Sequence, residues 1–304
     1  MHIDEIKTYM FHYIRDSKSN ELSFLNSFNA ENFFSFVNKN QKNILSQKCI
    51  ENLLHQSDDL NTKRRILLTF DDGLKDHYKE AYRVLKFFNL SGIFFINTKN
   101  IIFGEMDTVH KMHFLYGKLG WEKLVQIIIN ECRNKKIKIE DYYDNEMAKN
   151  SYPLDEEEVS KIKYAINYKL NPKIRDELVS SIFNNFSDNF KQKDFYLSKD
   201  DISEMSKNGM IFGFHGHEHV PFSSLDSSQL YQSLLNQKIF FEDMGIENYG
   251  VLSFPYGDIS SYNKNNINVL NKFGLNLAFI ADQHNTKKHS FKILKRTDCA
   301  AIKL

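Results

Sequence analysis

The chain has 304 residues, of which 41% are hydrophobic and 26% charged. That balance builds a sizeable core and excludes disordered and fibrous chains. Forty basic side chains against 39 acidic leave a formal charge of +1, so no global field draws the protein to nucleic acid or to an anionic membrane. Cys49, Cys132 and Cys299 are scattered and odd in number, which argues against a disulfide framework and for a reducing compartment. The opening residues carry acids early and no apolar leader core, and no run approaches the roughly 18 apolar residues of a membrane span. The expectation is a cytoplasmic protein without a membrane span.

Short apolar runs of strand length occur at Ile6–Phe11, Ile66–Phe70, Ile93–Ile96, Met210–Phe214, Gly250–Phe254 and Leu275–Ala281. Few alternate polar with apolar residues, which is how strands buried on both faces read. Helical patterns lie between them. Tyr78, Ala81, Leu85 and Phe88 form one apolar stripe, and Leu230, Leu234, Phe241 and Met244 form another, with Gly245 as its stop. Asn263–Phe273 before Gly274 is a third helix. Strand, loop and helix in alternation predict an α/β protein with a parallel sheet or βα barrel.

Residues from about 105 to 197 break this rhythm with helical stripes at Trp121-Leu124-Ile128 and Val159-Ile162-Ile166. Asp155 with Glu158 fits a capping box, and Asn171-Pro172 fits an N-cap and first-turn pair. The stretch is expected to be a helical insertion within a single domain spanning 1–304. Glycine and proline are sparse, and no linker or repeat divides the chain.

Four apolar runs end directly in polar or turn-forming residues: Phe11 in His12, Phe70 in Asp71-Asp72-Gly73, Phe214 in His215, and Phe254 in Pro255-Tyr256-Gly257. Sites in parallel α/β folds form outside the carboxyl ends of the strands, so these endings predict one site. Adjacent carboxylates leaving a strand point in different directions, so one can hold a metal while the other takes a proton. His215, His217 and His219 crowd five residues of a chain with 11 histidines. His215 and His219, four apart, share a face of helix or strand and could bind Zn²⁺ or a similar borderline metal. An Asp, His, His set leaves a position for water, as catalytic metal sites require.

Thr69–Gly73 (TFDDG) and the later His215–His219 (H-x-x-x-H) resemble the first two motifs of the polysaccharide deacetylase family, carbohydrate esterase family 4. Ala81–Ile96 resembles the family's helix-to-strand stretch, and Val251–Gly257 (VLSFPYG) resembles its third motif. The likeness spans about 66–100 and 205–298. It implies a distorted (β/α) barrel and metal-dependent removal of acetyl from an N-acetylated sugar. Asp72, His215 and His219 would hold the divalent metal, expected to be zinc, and Asp71 would be the general base. The Tyr256 main-chain N–H would stabilise the oxyanion.

Departures from the family pattern matter as much. Gly216 stands where the family often has Ser or Thr. Ser253 stands where its third motif commonly carries the arginine that orients the base. Among only seven arginines, Arg296 in Ile293–Asp298 is the candidate replacement. No C-terminal L-x-H segment supplies the general acid, and His284 and His289 read as solvated loop residues. His12 in Tyr9–Tyr13 resembles the N-terminal Y-H segment of the permuted, poly-N-acetylglucosamine deacetylase branch, which implies His12 as the acid. His110 and His113 mark one helix face that could touch substrate if the insertion folds over the barrel mouth, and Trp121 and Tyr142-Tyr143 either pack in core or surface or stack on sugars. The expected partner is an acetylated sugar in glycan or surface-polysaccharide synthesis. The alternatives are an amidohydrolase on a small non-sugar amide and a catalytically degenerate carbohydrate-binding barrel.

Overall fold

The computed structural model describes residues 6–15, 27–55, 63–153, 155–188, 190, 194–247, 249–275, 277–281 and 292–302. Its strands are β1 (Lys7–Phe11), β2 (Ile14–Arg15), β3 (Phe28–Asn29), β4 (Ile66–Phe70), β5 (Ile93–Ile96), β6 (Ile211–Phe214), β7 (Val251–Ser253), β8 (Leu277–Ile280), β9 (Lys292–Lys295) and β10 (Thr297–Asp298). Each of the apolar runs singled out in the sequence contains a strand. Eight of these strands hydrogen-bond in the order β10-β1-β4-β5-β6-β7-β8-β9, and every pair is parallel. β9 pairs with β8 and β10 pairs with β1, with only Arg296 between them. One segment therefore closes the sheet into a (β/α) barrel by passing from one edge to the other, and Arg296 sits at the seam.

Both faces of the strands are apolar, for two separate reasons. Leu67, Ile93, Phe95, Ile211, Val251 and Phe279 pack together with Leu53 and Leu54 of the helix Gln47–Leu54. The alternate residues, among them Leu68, Phe70, Phe94, Phe212, Phe214 and Leu252, belong to a second cluster that includes Leu230, Leu234 and Phe241 of the helix Ser227–Asp243. Strands covered on both sides lose the polar–apolar alternation of a half-exposed sheet. Gly213 serves this packing, because a Cβ there would lie 2.6 Å from the Phe95 ring.

The chain divides into two compact units. The barrel unit takes in Asn26–Glu105 and Gln192–Leu304 along with the start of the chain, and the second unit takes in Met106–Lys191. The second unit is helical: Thr108–Leu119, Trp121–Asn134, Asn145–Ser151, Glu157–Tyr164 and Pro172–Asn184. Its buried side chains include Leu115, Ile128, Ile162, Leu178 and Phe183, with the Phe114 and Phe183 rings 5.1 Å apart. The Asn171 side chain accepts from the Lys173 N–H and Pro172 occupies the first turn, as the sequence predicted. Asp155 does not cap its helix. The helix starts one residue later than that reading required, with Glu156 at the N-cap, and the Asp155 carboxylate is bound to Lys163.

Candidate active site

Strand alternation delivers the first site residue. Leu67 belongs to the cluster that includes Leu53 and Leu54, the inner cluster, and Thr69 continues that face, so the next inward position is Asp71, which is buried. There it meets Arg296 from the seam. Arg296 Nη1 donates to Asp71 Oδ1 at 2.7 Å and Nη2 to Oδ2 at 2.6 Å. The fork is extended by Ser253, whose Oγ accepts from Arg296 Nη2 at 2.8 Å and donates to Asp71 Oδ2 at 3.1 Å. Thr69 Oγ1 accepts from Arg296 Nη1 at 3.2 Å and donates to the Tyr9 carbonyl at 2.8 Å. Burial on its own would raise the Asp71 carboxyl. The Arg296 charge, with smaller help from His215 and His12, outweighs it and holds the group down at about 2. Asp71 is thus an ionised, oriented carboxylate.

Asp72 turns the other way because its backbone is left-handed, at φ 77°, followed by Gly73 at φ 64°. Such a backbone is costly for most side chains and tolerated by Asp and Gly. Asp72 Oδ1 lies 3.1 Å from His215 Nε2 and 3.1 Å from His219 Nε2. His215 occupies the inward position after Ile211 and Gly213, and its Nδ1–H donates to the Ser253 carbonyl at 2.8 Å. That bond fixes the tautomer and leaves a lone pair on Nε2 facing a carboxylate oxygen. A lone pair and an anionic oxygen in contact repel unless a proton or cation lies between them. The ligand atoms of Asp72, His215 and His219 all fall within 4.8 Å of one another, and all three residues are buried. These donors fit a divalent ion of zinc type.

His12 follows β1 with its side chain 36% exposed, and its Nε2 lies 4.0 Å from Asp71 Oδ2. It therefore faces Asp71 and not the core. Tyr256 has a left-handed backbone at φ 67°, and its ring stacks on that of His219 with centroids 5.3 Å apart. Gly257, also at φ 67°, has no room for a Cβ, which would lie 3.0 Å from the Ala281 nitrogen. His12, Asp71, Asp72, His215, His219 and Arg296 thus form one contiguous constellation, with Tyr256 against His219.

Some of the other candidates are committed to packing. His284 and His289 lie outside the described residues. His110 and His113 share the helix Thr108–Leu119 in the second unit, where His110 is buried with Nδ1 3.9 Å from Asp107 Oδ2. Trp121 stacks on Tyr116 at 4.5 Å, and Lys163 lies over its ring. Some supporting residues escaped the sequence reading. Buried Gln237 donates from Nε2 to the Ile96 carbonyl at 2.7 Å and accepts from the His215 N–H at 3.2 Å, tying the ligand strand to its neighbour. Its signal was a polar residue in an apolar seat of the stripe Leu230, Leu234, Phe241. His217 hydrogen-bonds Thr98 Oγ1 through Nδ1 at 2.7 Å, and Ser233 Oγ accepts from its N–H at 2.9 Å. The middle histidine therefore braces the loop and does not join the ligand set.

Barrel and site together define a (β/α) barrel protein whose mouth carries a carboxylate–imidazole ligand set beside an ionised aspartate. The polysaccharide deacetylase profile matches residues 58–114 and 170–278, which is more than half of the chain, and the chain belongs to that family. Its class of reaction is carbohydrate deacetylation. Among solved structures, the Streptococcus pyogenes deacetylase PplD in complex with acetate is 14% identical, with 96% of this chain and 91% of that chain covered at a TM-score of 0.55. IcaB from Ammonifex degensii is 14% identical, with 98% and 93% covered at a TM-score of 0.56. A de-N-acetylase from Aggregatibacter actinomycetemcomitans is 14% identical, with 96% and 93% covered at 0.52. At such identities the likeness establishes the fold. Direct sequence comparison with curated proteins gives no match.

Proposed function

We propose that the protein is a divalent-metal hydrolase that removes acetyl from an N-acetylated sugar of glycan or surface-polysaccharide synthesis. One observation carries the reading: a buried Asp72-His215-His219 ligand set lies beside an ionised Asp71, with His12 Nε2 4.0 Å from that carboxylate. Held by those three side chains, a zinc-type ion would supply Lewis acidity, polarising the acetyl carbonyl and lowering the pKa of water.

The chain's own residues do the rest. Asp71, kept ionised and oriented by Arg296 and Ser253, takes the proton of the attacking water. The Tyr256 N–H, on a turn whose φ excludes most conformers, donates to the developing oxyanion. His12, on the open side of Asp71, gives its Nε2 proton to the departing amine. The products are acetate and the free amino sugar. The position of His12 ahead of Thr69–Gly73 and the fold shared with IcaB support a place in the permuted branch. The degenerate-barrel alternative rests on Ser253 and on the missing C-terminal L-x-H segment; Arg296 supplies the guanidinium that Ser253 lacks, and His12 beside Asp71 offers an imidazole in place of the missing one.

Acetate release from N-acetylglucosamine derivatives, abolished by chelation and restored by zinc, is the expected result. Hydrolysis of linear or cyclic ureides, with no acetate released from the sugars, would establish the small-amide alternative. The free state of Cys49, Cys132 and Cys299 supports a cytoplasmic location. Cell fractionation tests it, and finding the native protein outside the cytoplasm would overturn it.

A further inference from the structure

One buried imidazole has no part in the ligand set. His77 lies four residues beyond Gly73, fully buried, with its ring 5.5 Å from Phe70 and 6.0 Å from Phe94. Its Nε2 lies 2.7 Å from the main-chain carbonyl of His12. A carbonyl can only accept, so His77 carries its proton on Nε2 and donates it to that oxygen. Its Nδ1 is buried with no hydrogen-bond partner. Leaving such an atom unpaired is unfavourable, so an apolar side chain would suit this pocket better as packing. What the imidazole adds is its grip on His12.

The neighbouring residue makes a second grip. Asp76 Oδ2 pairs with Arg15 Nε at 2.6 Å, and the Arg15 guanidinium lies 4.7 Å over the Tyr13 ring. Both ends of the segment His12–Arg15 are therefore held by consecutive residues. His77 also opens a π-helix, His77–Tyr82, a rare wide turn concentrated at functional sites. The same stretch of chain leaves β4 through Asp71 and Asp72, and the Asp71 N–H donates to the Phe11 carbonyl at 3.0 Å. One short connection thus carries Asp71 and clamps the segment that bears His12.

We infer that His77, with the Asp76–Arg15 pair as a second tether, is a positioning residue that holds His12 at working distance from Asp71. The inference rests on the proposed role of His12 as proton donor. A positioning role has a signature that a purely structural role lacks. It matters for a leaving group that needs a proton and not for one that departs as a stable anion.

The test measures the metal-loaded protein on two probes, an N-acetylglucosamine oligomer and 4-nitrophenyl acetate. His77→Leu removes the donor, whereas His77→Gln places an amide N–H near the position of Nε2. His77→Leu is expected to lower kcat on the oligomer by about ten- to hundredfold. KM and bound metal should stay within twofold, 4-nitrophenyl acetate turnover should be unchanged, and His77→Gln should restore most of the oligomer rate. Combined with His12→Ala, His77→Leu should add no further loss. Should His77→Leu fail to fold, Arg15→Gln is read on the same two probes with the same expectation. Equal losses on both probes, or additive losses with His12→Ala, would overturn the inference. So would full oligomer turnover in His77→Leu while His12→Ala is impaired. Full turnover in His12→Ala itself would remove the proton-donor reading and the inference with it.

Discussion

Arg296 and Asp71 form a buried two-pronged ion pair, Nη1 to Oδ1 at 2.7 Å and Nη2 to Oδ2 at 2.6 Å, across 225 residues of sequence. Arg296 is also the residue at which the closing segment leaves β8 for β1. Barrel closure and orientation of the carboxylate are one structural event. Removing the guanidinium should therefore disturb both.

Arg296→Met leaves a buried carboxylate without its partner. Burial then dominates and the Asp71 carboxyl rises from about 2 into or above the ordinary range. The acidic limb of the pH–rate profile should move to higher pH, with activity depressed at neutral pH and recovered in part under alkaline conditions. Breaking a buried pair on one side costs about 3–5 kcal/mol, so the thermal midpoint should fall as well. Profiles of kcat/KM against pH, with melting curves at each pH, check both.

Ser253 leaves room for only one guanidinium. It is fully buried and already bonded to Arg296 and Asp71. Ser253→Arg, which restores the common family residue, should destabilise the barrel and abolish turnover, since two buried cations would share one aspartate. The exchange Ser253→Arg with Arg296→Ser should recover part of the stability. Urea denaturation of the two single variants and the double variant measures this.

His77 makes the fold sensitive to acid. Burial lowers its pKa from 6.5 to about 4, so below pH 6.5 the unfolded chain takes up a proton that the folded chain refuses. Stability is then full above about pH 6.5 and is lost progressively as pH falls toward 4, by about 3 kcal/mol from this group. His77→Gln should flatten the dependence of the melting temperature on pH across that window. An unchanged slope would contradict the assignment.

Gly257→Ala should cost stability and activity together. The added Cβ would meet the Ala281 Cβ at 2.8 Å and its nitrogen at 3.0 Å, at a φ of +67° that L residues rarely adopt. The expected loss is about 2 kcal/mol or more, with displacement of Tyr256 next to it. Calorimetry gives the first quantity, and acetate release at saturating substrate the second.

The strand endings were legible because doubly buried strands are mostly apolar and give way abruptly to charged or titratable residues. His12, Asp71 and His215 directly follow the closing phenylalanines of their runs, and strand alternation accounts for Asp71 and His215. Arg296 was legible as a residue type in short supply, but its partner was not, since no periodicity links positions so far apart. His77 was hidden for a different reason. The stripe Tyr78-Ala81-Leu85-Phe88 follows an α-helical period, whereas the π-turn at His77–Tyr82 shifts which residues face inward. The helix Gln47–Leu54 that contributes Leu53 and Leu54 to the inner cluster is too short for a period to stand out. Gln237 sat in plain view as a polar interruption of an apolar stripe.

The most direct test of the account pairs two readings on one variant, Asp71→Asn. Zinc content by mass spectrometry and acetate release from an N-acetylglucosamine oligomer should diverge. Bound metal should match wild type, because Asp72, His215 and His219 are intact, while turnover falls by about 10²–10⁴-fold with loss of the general base. Turnover equal to wild type in the metal-loaded variant would contradict the assignment of Asp71, and no acetate release from the wild type would contradict the deacetylase reading itself.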